Sequence, residues 1–241
     1  MVNLTFELLS QTVLPPTCIV CGDDVRLKGA RAIDLCAACN GDLAPNSHAC
    51  AVCAEPLPPS VPDNSICGVC LQKRPRYHAS LCAFRYTYPI DHLVRAFKFH
   101  GRLAYGRVLG ELLSVALSNA HRDAWPALLI PVPLADARFR ERGFNQAIEL
   151  GRIVAARLRI PLRPDLVLRT RMTREQTGLD SKARRKNLRG AFAVGSPLPA
   201  KHVAIIDDVV TTGSTANELA RVLRRAGAKR IEVWAVARTP R

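Results

Sequence analysis

Two adjacent carboxylates followed by a hydroxyl-rich loop form the part of the sequence best suited to chemistry. Asp207 and Asp208 come directly after the apolar run 203–206, and the loop 211–215 carries four hydroxyl side chains and one glycine. This pattern predicts a buried strand, a turn and a helix that begins at Ser214. A helix N-terminus with nearby hydroxyls suits a phosphate, and paired carboxylates can accept hydrogen bonds from sugar hydroxyls. The predicted ligand is therefore a ribose phosphate.

Simpler interpretations of these residues stay open. A strand that ends in Asp before a Ser or Thr cap is common in α/β proteins. An apolar run that ends in Asp also resembles the magnesium-holding strand of P-loop nucleotidases. The chain contains neither G-x-x-x-x-G-K-[ST] nor G-x-G-x-x-G, so the sequence lacks the partner motifs of those two nucleotide-binding classes.

Eight of the nine cysteines form four C-x-x-C pairs, which are Cys18/Cys21, Cys36/Cys39, Cys50/Cys53 and Cys67/Cys70. Two thiolates separated by two residues can hold one ion from a tight turn, and two such turns complete a tetrahedron. Sequential pairing assigns the first four cysteines to one zinc ion and the last four to a second, whereas crossed pairing and one metal-free half remain open. We expect one or two structural ions, because no open coordination position is evident, and we expect Cys82 in the core.

The charge of the chain is unevenly distributed. Its net charge of +15 comprises −1 for residues 1–80, +12 for residues 81–200 and +4 for residues 201–241. The basic part indicates anionic ligands, either a diphosphate or a nucleic-acid backbone, although a solvated Arg-rich surface would have the same composition. No stretch approaches the roughly 20 apolar residues of a membrane span, and the first residues lack the basic start of a signal peptide. We therefore expect a cytoplasmic protein without membrane insertion.

The remaining patterns predict the elements that position these residues. Strands are predicted at 80–86, 128–134, 191–194, 203–206 and 231–236, and helices at 2–14, 89–100, 103–118, 146–159 and 214–226. Strands that alternate with helices predict an α/β fold with a mainly parallel sheet. The predicted domains are an N-terminal helix at 1–16, a double zinc ribbon at 17–76 and an α/β domain at 77–241.

Three basic segments could contact an anion. Arg138, Arg140 and Arg142 recur with period 2, which suits a diphosphate or a nucleic-acid strand, or else a solvated loop. Residues 97–102 could either contact substrate or complement a helix dipole. Residues 169–189 carry 8 basic and 2 acidic side chains, which indicates a mobile loop that acts as a lid or follows single-stranded nucleic acid.

Taken together, these motifs resemble the ComF/GntX family, in which a double zinc ribbon precedes a type I phosphoribosyltransferase-like domain of Rossmann type. The 203–215 string resembles the diphosphate-sugar motif of type I phosphoribosyltransferases. The other matching segments are the four Cys pairs, Phe97–Arg102, Val132–Leu134, Arg142–Gln146, Gln176–Leu179, Arg185–Asn187 and Ile206–Gly213. The resemblance implies a role in natural competence through cytoplasmic handling of single-stranded DNA, and the family name also refers to gluconate utilisation. The implied partners are phosphoribosyl pyrophosphate, single-stranded DNA and other competence proteins.

The resemblance also implies a role for individual residues. Asp207 and Asp208 would bind the ribose hydroxyls of phosphoribosyl pyrophosphate with its magnesium, the 211–215 loop would hold the 5-phosphate, and the loop after Pro133 would face the pyrophosphate. The full set of implied ligand residues is Pro133, Arg138, Arg142, Asp207, Asp208, Val209, Thr211, Thr212, Gly213, Ser214 and Thr215.

Phosphoribosyl transfer to an unidentified acceptor is the alternative to ligand binding alone. The catalytic residues would then be Asp207, Asp208, Lys182, Arg184 and Arg185, the three cations neutralising the leaving diphosphate. Base-salvaging relatives recognise their base with a hood, whereas zinc ribbons occupy that region here. Because no base-reading residue is identifiable, the acceptor is left open.

Overall fold

The computed structural model describes residues 17–25, 33–120, 123–170 and 188–241. Its helices are α1 (Ala37–Gly41), α2 (Gly68–Gln72), α3 (Ile90–His100), α4 (Leu103–Asn119), α5 (Asp136–Arg142), α6 (Gln146–Leu158) and α7 (Ser214–Arg225). Its strands are β1 (Ala79–Arg85), β2 (Leu128–Pro131), β3 (Val167–Arg169), β4 (Phe192–Val194), β5 (His202–Val210) and β6 (Arg230–Arg238). The predicted N-terminal helix at 1–16 lies outside the described residues.

Four strands form one parallel sheet in the order β1-β6-β5-β2, and β3 pairs with β4 in a separate antiparallel sheet. Strand β6 is apolar and buried from Ile231 to Ala237, apart from the buried Glu232. Continuous burial of this kind is typical of a central strand covered on both faces. The structure confirms the predicted α/β fold with a mainly parallel sheet.

Each face of the sheet has its own hydrophobic core. Helices α3, α4 and α6 cover one face, where Leu109 and Leu150 are completely buried. Helix α7 covers the other face through Leu219 and Leu223. The N-terminal part of the chain contributes to both cores, because Cys18 belongs to the first core and Cys50 and Val52 to the second. The cysteine-rich module is therefore packed against the sheet on both sides.

The segment between the two cysteine-rich halves covers the edge of the sheet at β1. The backbone N–H of Asn46 donates to the carbonyl of Ala83 at 3.0 Å, and the N–H of Arg85 donates to the carbonyl of Ala44 at 2.9 Å. These bonds occupy backbone groups that an edge strand would otherwise leave unpaired. The side chain of Asn46 also donates to the carbonyl of Ala54 at 2.9 Å, which fixes the turn into the second half.

Strand β5 extends beyond its predicted end. The prediction ended it at Ile206, but the paired strand continues to Val210, with Asp207 opposite Ala235 and Val209 opposite Ala237 of β6. The backbone ladder with β6 therefore determines where the two carboxylates point. None of the helices in the described ranges is long and apolar enough to cross a membrane.

Candidate ligand site and cysteine clusters

A cavity of about 530 Å³ lies at the carboxyl ends of the parallel strands. The connection after β2 leads to α6 on one face of the sheet, and the connection after β5 leads to α7 on the opposite face. A crevice between two neighbouring strands with diverging connections is the usual ligand position in open α/β sheets. The predicted ligand residues that line this cavity are Pro133, Arg138, Arg142, Asp207, Asp208, Val209, Thr211 and Thr215.

The two carboxylates belong to β5 and therefore project toward opposite faces of the sheet. Asp208 is a buried residue, and its carboxylate lies 2.9 Å from the ammonium of Lys98 near the end of α3. Asp207 accepts a hydrogen bond from the backbone N–H of Asp208 at 2.9 Å. Because the cavity is at the strand end, both carboxylates line it although they start on different faces.

Asp207 has the most perturbed carboxyl group of the site. Burial raises its pKa, the neighbouring charge of Asp208 raises it further, and Lys98 opposes both effects, so that the pKa is about 7. A carboxyl group that titrates near neutrality in a cavity is typical of a functional position. A ligand that donates hydrogen bonds or brings a cation would favour the ionised form.

The 211–215 loop connects β5 to the N-terminus of α7. Gly213 has φ +71°, a left-handed conformation that favours glycine, and it is the N-cap residue of α7. Gly213 has no side chain to cap the helix, and the N–H of Ser214 makes only a long contact of 3.4 Å with the hydroxyl of Thr212, so the first turn can still offer N–H groups to a ligand. The hydroxyls of Thr212 and Ser214 lie 2.9 Å apart. Thr212, Gly213 and Ser214 complete the loop between Thr211 and Thr215, the two loop residues that line the cavity.

The three arginines of the 138–142 segment lie on helix α5. Residues four apart share a helix face and residues two apart do not, so Arg138 and Arg142 lie on one face and Arg140 on another. Arg138 and Arg142 line the cavity, whereas Arg140 does not. The guanidinium of Arg142 lies 5.2 Å from the centroid of the exposed Phe99 ring.

Two buried donors in the cavity have no partner within the part of the chain that the structure describes. They are Nε2 of Gln146, a side chain that is 3% exposed, and Nε of Arg142. Leaving a buried donor unsatisfied costs about 1–3 kcal/mol. An oxygen-rich ligand would supply acceptors for both groups. Asn145, which precedes Gln146, caps α6 through bonds from the N–H groups of Ala147 and Ile148, so the local turn fixes where Gln146 points.

The cavity lining also includes residues that were not among the predicted ligand residues, and Lys98, Gln146 and Arg169 bring nitrogen donors to it. Lys98 and Gln146 lie in two of the segments that resemble the family, Phe97–Arg102 and Arg142–Gln146. This resemblance is the sequence feature that could have identified them as ligand residues. The predicted catalytic cations Lys182, Arg184 and Arg185 lie outside the described residues, as does most of the 169–189 segment.

The eight paired cysteines form two clusters in the sequential arrangement. The first cluster is Cys18, Cys21, Cys36 and Cys39, and the second cluster is Cys50, Cys53, Cys67 and Cys70. Within each cluster the sulfur atoms lie within 4.8 Å of one another. The Sγ atoms of Cys21 and Cys36 are 3.7 Å apart and those of Cys53 and Cys67 are 3.6 Å apart. Zinc with Zn–S bonds of about 2.3 Å requires tetrahedral sulfur separations of about 3.8 Å, so both clusters fit the ion.

Backbone donors also prepare the clusters for a metal. Burial raises the pKa of Cys18, but N–H groups of its own knuckle and of Cys36 outweigh burial and lower the pKa to about 6. Equivalent donors lower the pKa of Cys50 to about 7. Burial and the neighbouring cysteines raise the pKa values of Cys39, Cys53 and Cys70. Each cluster therefore has one thiol that ionises readily, and metal binding must displace the protons of the others. Cys82 is buried in β1, 3% exposed, as predicted for a core residue.

Comparisons with known proteins agree with this organisation. Residues 9–71 match the family described as the double zinc ribbon domain, which together with the two clusters identifies structural zinc sites. Competence protein F of Haemophilus influenzae is 38% identical over 178 residues, covering 71% of this chain and 78% of that protein. DNA utilization protein YhgH of Escherichia coli K12 is 34% identical over 208 residues, covering 85% and 90%.

Two further similarities are more distant. Competence protein ComFC of Streptococcus pneumoniae is 29% identical over 164 residues, covering 64% of this chain and 66% of that protein. A solved structure of the allosteric regulatory enzyme of purine biosynthesis aligns with a TM-score of 0.35 and 19% identity, over 54% of this chain and 25% of that one. The structural overlap is too small to decide fold or activity.

Replacing Asp207 by Asn should change how stability depends on pH. Because the native pKa is raised from 3.8 to about 7, the folded protein keeps a proton that the unfolded chain releases. The free energy of unfolding therefore falls as pH rises from about 4 to 7, with a limiting slope of about 1.4 kcal/mol per unit. In thermal melts between pH 5 and 8, we expect the melting temperature of Asp207→Asn to rise relative to that of the wild type as pH rises. Asp165→Asn is the control, since Arg163 lowers the pKa of Asp165 to about 2. A difference between Asp207→Asn and wild type that stays constant with pH would contradict the raised pKa.

Proposed function

The chain belongs to the ComF family, and from this premise we propose that its cavity binds phosphoribosyl pyrophosphate with magnesium. We also propose that the protein handles single-stranded DNA in competence or DNA utilization. The observation that carries the proposal is the convergence of a carboxylate pair, an uncapped helix N-terminus and unsatisfied buried donors in one cavity. Sugar hydroxyls, a phosphate and a diphosphate would satisfy these three groups respectively.

Each part of the ligand has a matching part of the cavity. Asp207 and Asp208 accept hydrogen bonds from the ribose hydroxyls, and their oxygens are also the hard donors that magnesium prefers. The 211–215 loop and the N-terminus of α7 hold the 5-phosphate. Arg138, Arg142 and Gln146 lie across the cavity on α5 and the start of α6, where their N–H groups suit diphosphate oxygens.

Lys98 offsets the negative charge of the carboxylates in the ligand-free cavity. Its ammonium pairs with Asp208 at 2.9 Å, with 21% of the lysine side chain and 11% of the aspartate side chain exposed. Two buried carboxylates on adjacent residues would otherwise repel each other. When a cationic or hydroxyl-rich ligand enters, Lys98 can exchange Asp208 for a phosphate oxygen without leaving either charge unpaired.

The surface beside the cavity supports the link to single-stranded DNA. Phe99 and Phe139 are 62% and 50% exposed, and Arg140 of α5 is exposed next to Phe139. Exposed aromatic rings allow bases to stack, and neighbouring guanidinium groups neutralise the backbone. The names of the relatives, competence protein and DNA utilization protein, agree with such a partner.

Phosphoribosyl transfer is the second candidate function. It is favoured by a wall of three guanidinium groups, Arg138, Arg142 and Arg169, that lines the cavity and could stabilise the charge of a departing diphosphate. Pyrophosphate release from phosphoribosyl pyrophosphate in the presence of cell extract would identify this activity, and its absence with intact binding would favour ligand binding alone.

Calorimetry with phosphoribosyl pyrophosphate and magnesium tests the proposed ligand. The double variant Asp207→Asn/Asp208→Asn should bind at least tenfold more weakly, because two amides replace the ionised acceptors of the sugar hydroxyls. Asp165→Asn, which alters an exposed carboxylate paired with Arg163, should bind like the wild type. Equal affinity of the double variant and the wild type would contradict the assignment of the ligand site.

Gln146→Met should separate ligand binding from stability. The substitution keeps the length of the side chain but removes the unsatisfied donor. We therefore expect the ligand-free melting temperature to stay the same or rise, and the affinity for phosphoribosyl pyrophosphate to fall about tenfold. The exposed Gln72 provides the control Gln72→Met, which should change neither quantity. An unchanged affinity in Gln146→Met would exclude this contact.

Fluorescence anisotropy with a labelled single-stranded oligonucleotide tests the DNA surface. Phe139→Ala/Arg140→Ala should weaken binding and reduce the dependence of log K on log salt by about 0.7 for each lost phosphate contact. Arg163→Ala, on a residue paired with Asp165, should leave binding unchanged. Identical salt slopes for wild type and the Phe139/Arg140 variant would place the DNA elsewhere on the molecule.

A further inference from the structure

Arg238 connects the second cysteine cluster to the 211–215 loop. We propose that zinc at the second cluster positions this loop through Arg238 and Glu55, so that the affinity of the cavity for its phosphorylated ligand depends on occupancy of that cluster and not of the first. The ligand side of this inference rests on the proposed function. Arg238 and Glu55 are positioning residues, since neither lines the cavity.

The guanidinium of Arg238 is surrounded by acceptors from both regions. Arg238 is the last residue of β6 and is 1% exposed. Its Nε donates to the carbonyl of Cys53 at 3.2 Å, and Nη1 donates to the carbonyl of Val210 at 3.1 Å and to that of Thr211. The same group also donates to the carbonyl of Thr239. One buried side chain thus holds a zinc ligand and the first residue of the loop.

Glu55 supplies the countercharge and belongs to the knuckle of the second cluster. Its carboxylate forms an ion pair with Nη2 of Arg238. The backbone N–H of Cys50 donates to the carbonyl of Glu55 at 2.8 Å, and the N–H of Ala54 donates to the carbonyl of Cys50 at 2.9 Å. These two bonds close the turn that carries Cys50 and Cys53. The position of Glu55 therefore depends on the geometry of the turn that the metal holds.

A second set of contacts joins the same regions. Tyr77 is buried, and its hydroxyl oxygen lies 3.1 Å from where a Cβ on Gly213 would be, so the tyrosine packs directly on the N-cap glycine of α7. On β1, the hydroxyl of Ser80 donates to the carbonyl of Val52 at 2.8 Å. The backbone N–H of Arg76, in the segment after the second cluster, donates to the side chain of Asn217 in α7 at 2.7 Å.

The first cluster contacts the opposite face of the sheet and serves as an internal comparison. The carbonyl of Ile19, next to Cys18, accepts a hydrogen bond from the hydroxyl of Tyr105 at 3.1 Å. Asp34, two residues before Cys36, forms an ion pair with Arg107 of α4. Asp34 and Glu55 each lie two residues from a cysteine of their cluster and each pair with an arginine of the α/β domain, but only the partner of Glu55 contacts the loop. Zinc in the first cluster stabilises the packing of α4 without acting on the 211–215 loop.

The matched variants Glu55→Gln and Asp34→Asn test the proposal in the full-length, zinc-loaded protein. Neither residue is a zinc ligand, so both variants should keep the wild-type zinc content by mass spectrometry of the metal. Glu55→Gln should bind phosphoribosyl pyrophosphate with magnesium about tenfold more weakly in calorimetry, and Asp34→Asn should bind like the wild type. Equal affinities for the two variants and the wild type would overturn the coupling.

A ligand-independent measurement separates this proposal from the proposed function. Hydrogen exchange of peptides spanning 208–218 should accelerate in Glu55→Gln and in Cys67→Ser, and should stay at the wild-type rate in Asp34→Asn and Cys36→Ser. If the wild type does not bind the ligand but the exchange pattern holds, only the proposed function fails. If exchange at 208–218 is unchanged in Glu55→Gln, or equally accelerated in Glu55→Gln and Asp34→Asn, the coupling is overturned whether or not the ligand binds.

Discussion

Strand β5 pairs in parallel with β2 on one side and β6 on the other, and this pairing brings the ends of three strands to one edge. The end of β5 carries the carboxylates, the end of β2 leads to α5 and α6, and the end of β6 carries Arg238. Parallel strands have their carboxyl ends on the same side, so side chains far apart in the chain meet there. Without this pairing, Asp208, Arg142 and Arg238 would have no common location.

The cysteine-rich module is part of the same architecture, because its two halves contribute to cores on opposite faces of the sheet. A module of this size has little apolar surface of its own and gains much of its folding free energy from the metal. Its hydrogen bonds to β1 also cover an edge of the sheet. Loss of zinc should therefore destabilise the α/β core as well as the ribbons. Loss of zinc from the second cluster should affect the ligand site most directly.

Several features followed from local sequence patterns. The C-x-x-C spacings predicted metal-binding knuckles, and the apolar runs predicted every described strand except β3 to within a few residues, since both depend on neighbours in the chain. The helix that carries Arg138, Arg140 and Arg142 was not predicted, because short charged segments have no apolar periodicity that distinguishes helix from strand. The predicted domain boundaries at residues 16 and 76 stay predictions.

The sequence alone determined the chemistry that this protein can contain: eight thiols in metal-binding pairs, two adjacent carboxylates, and a loop suited to an anion. These depend on residue type and short spacing, which the chain carries directly. Tertiary structure decided the rest. Sequential rather than crossed cysteine pairing, the contact of Lys98 with Asp208, the unsatisfied amide of Gln146 and the position of Arg238 between Glu55 and Thr211 all arise from residues brought together by strand pairing and burial. Glu55 and Arg238 are 183 positions apart in the chain, a separation that no local pattern can span.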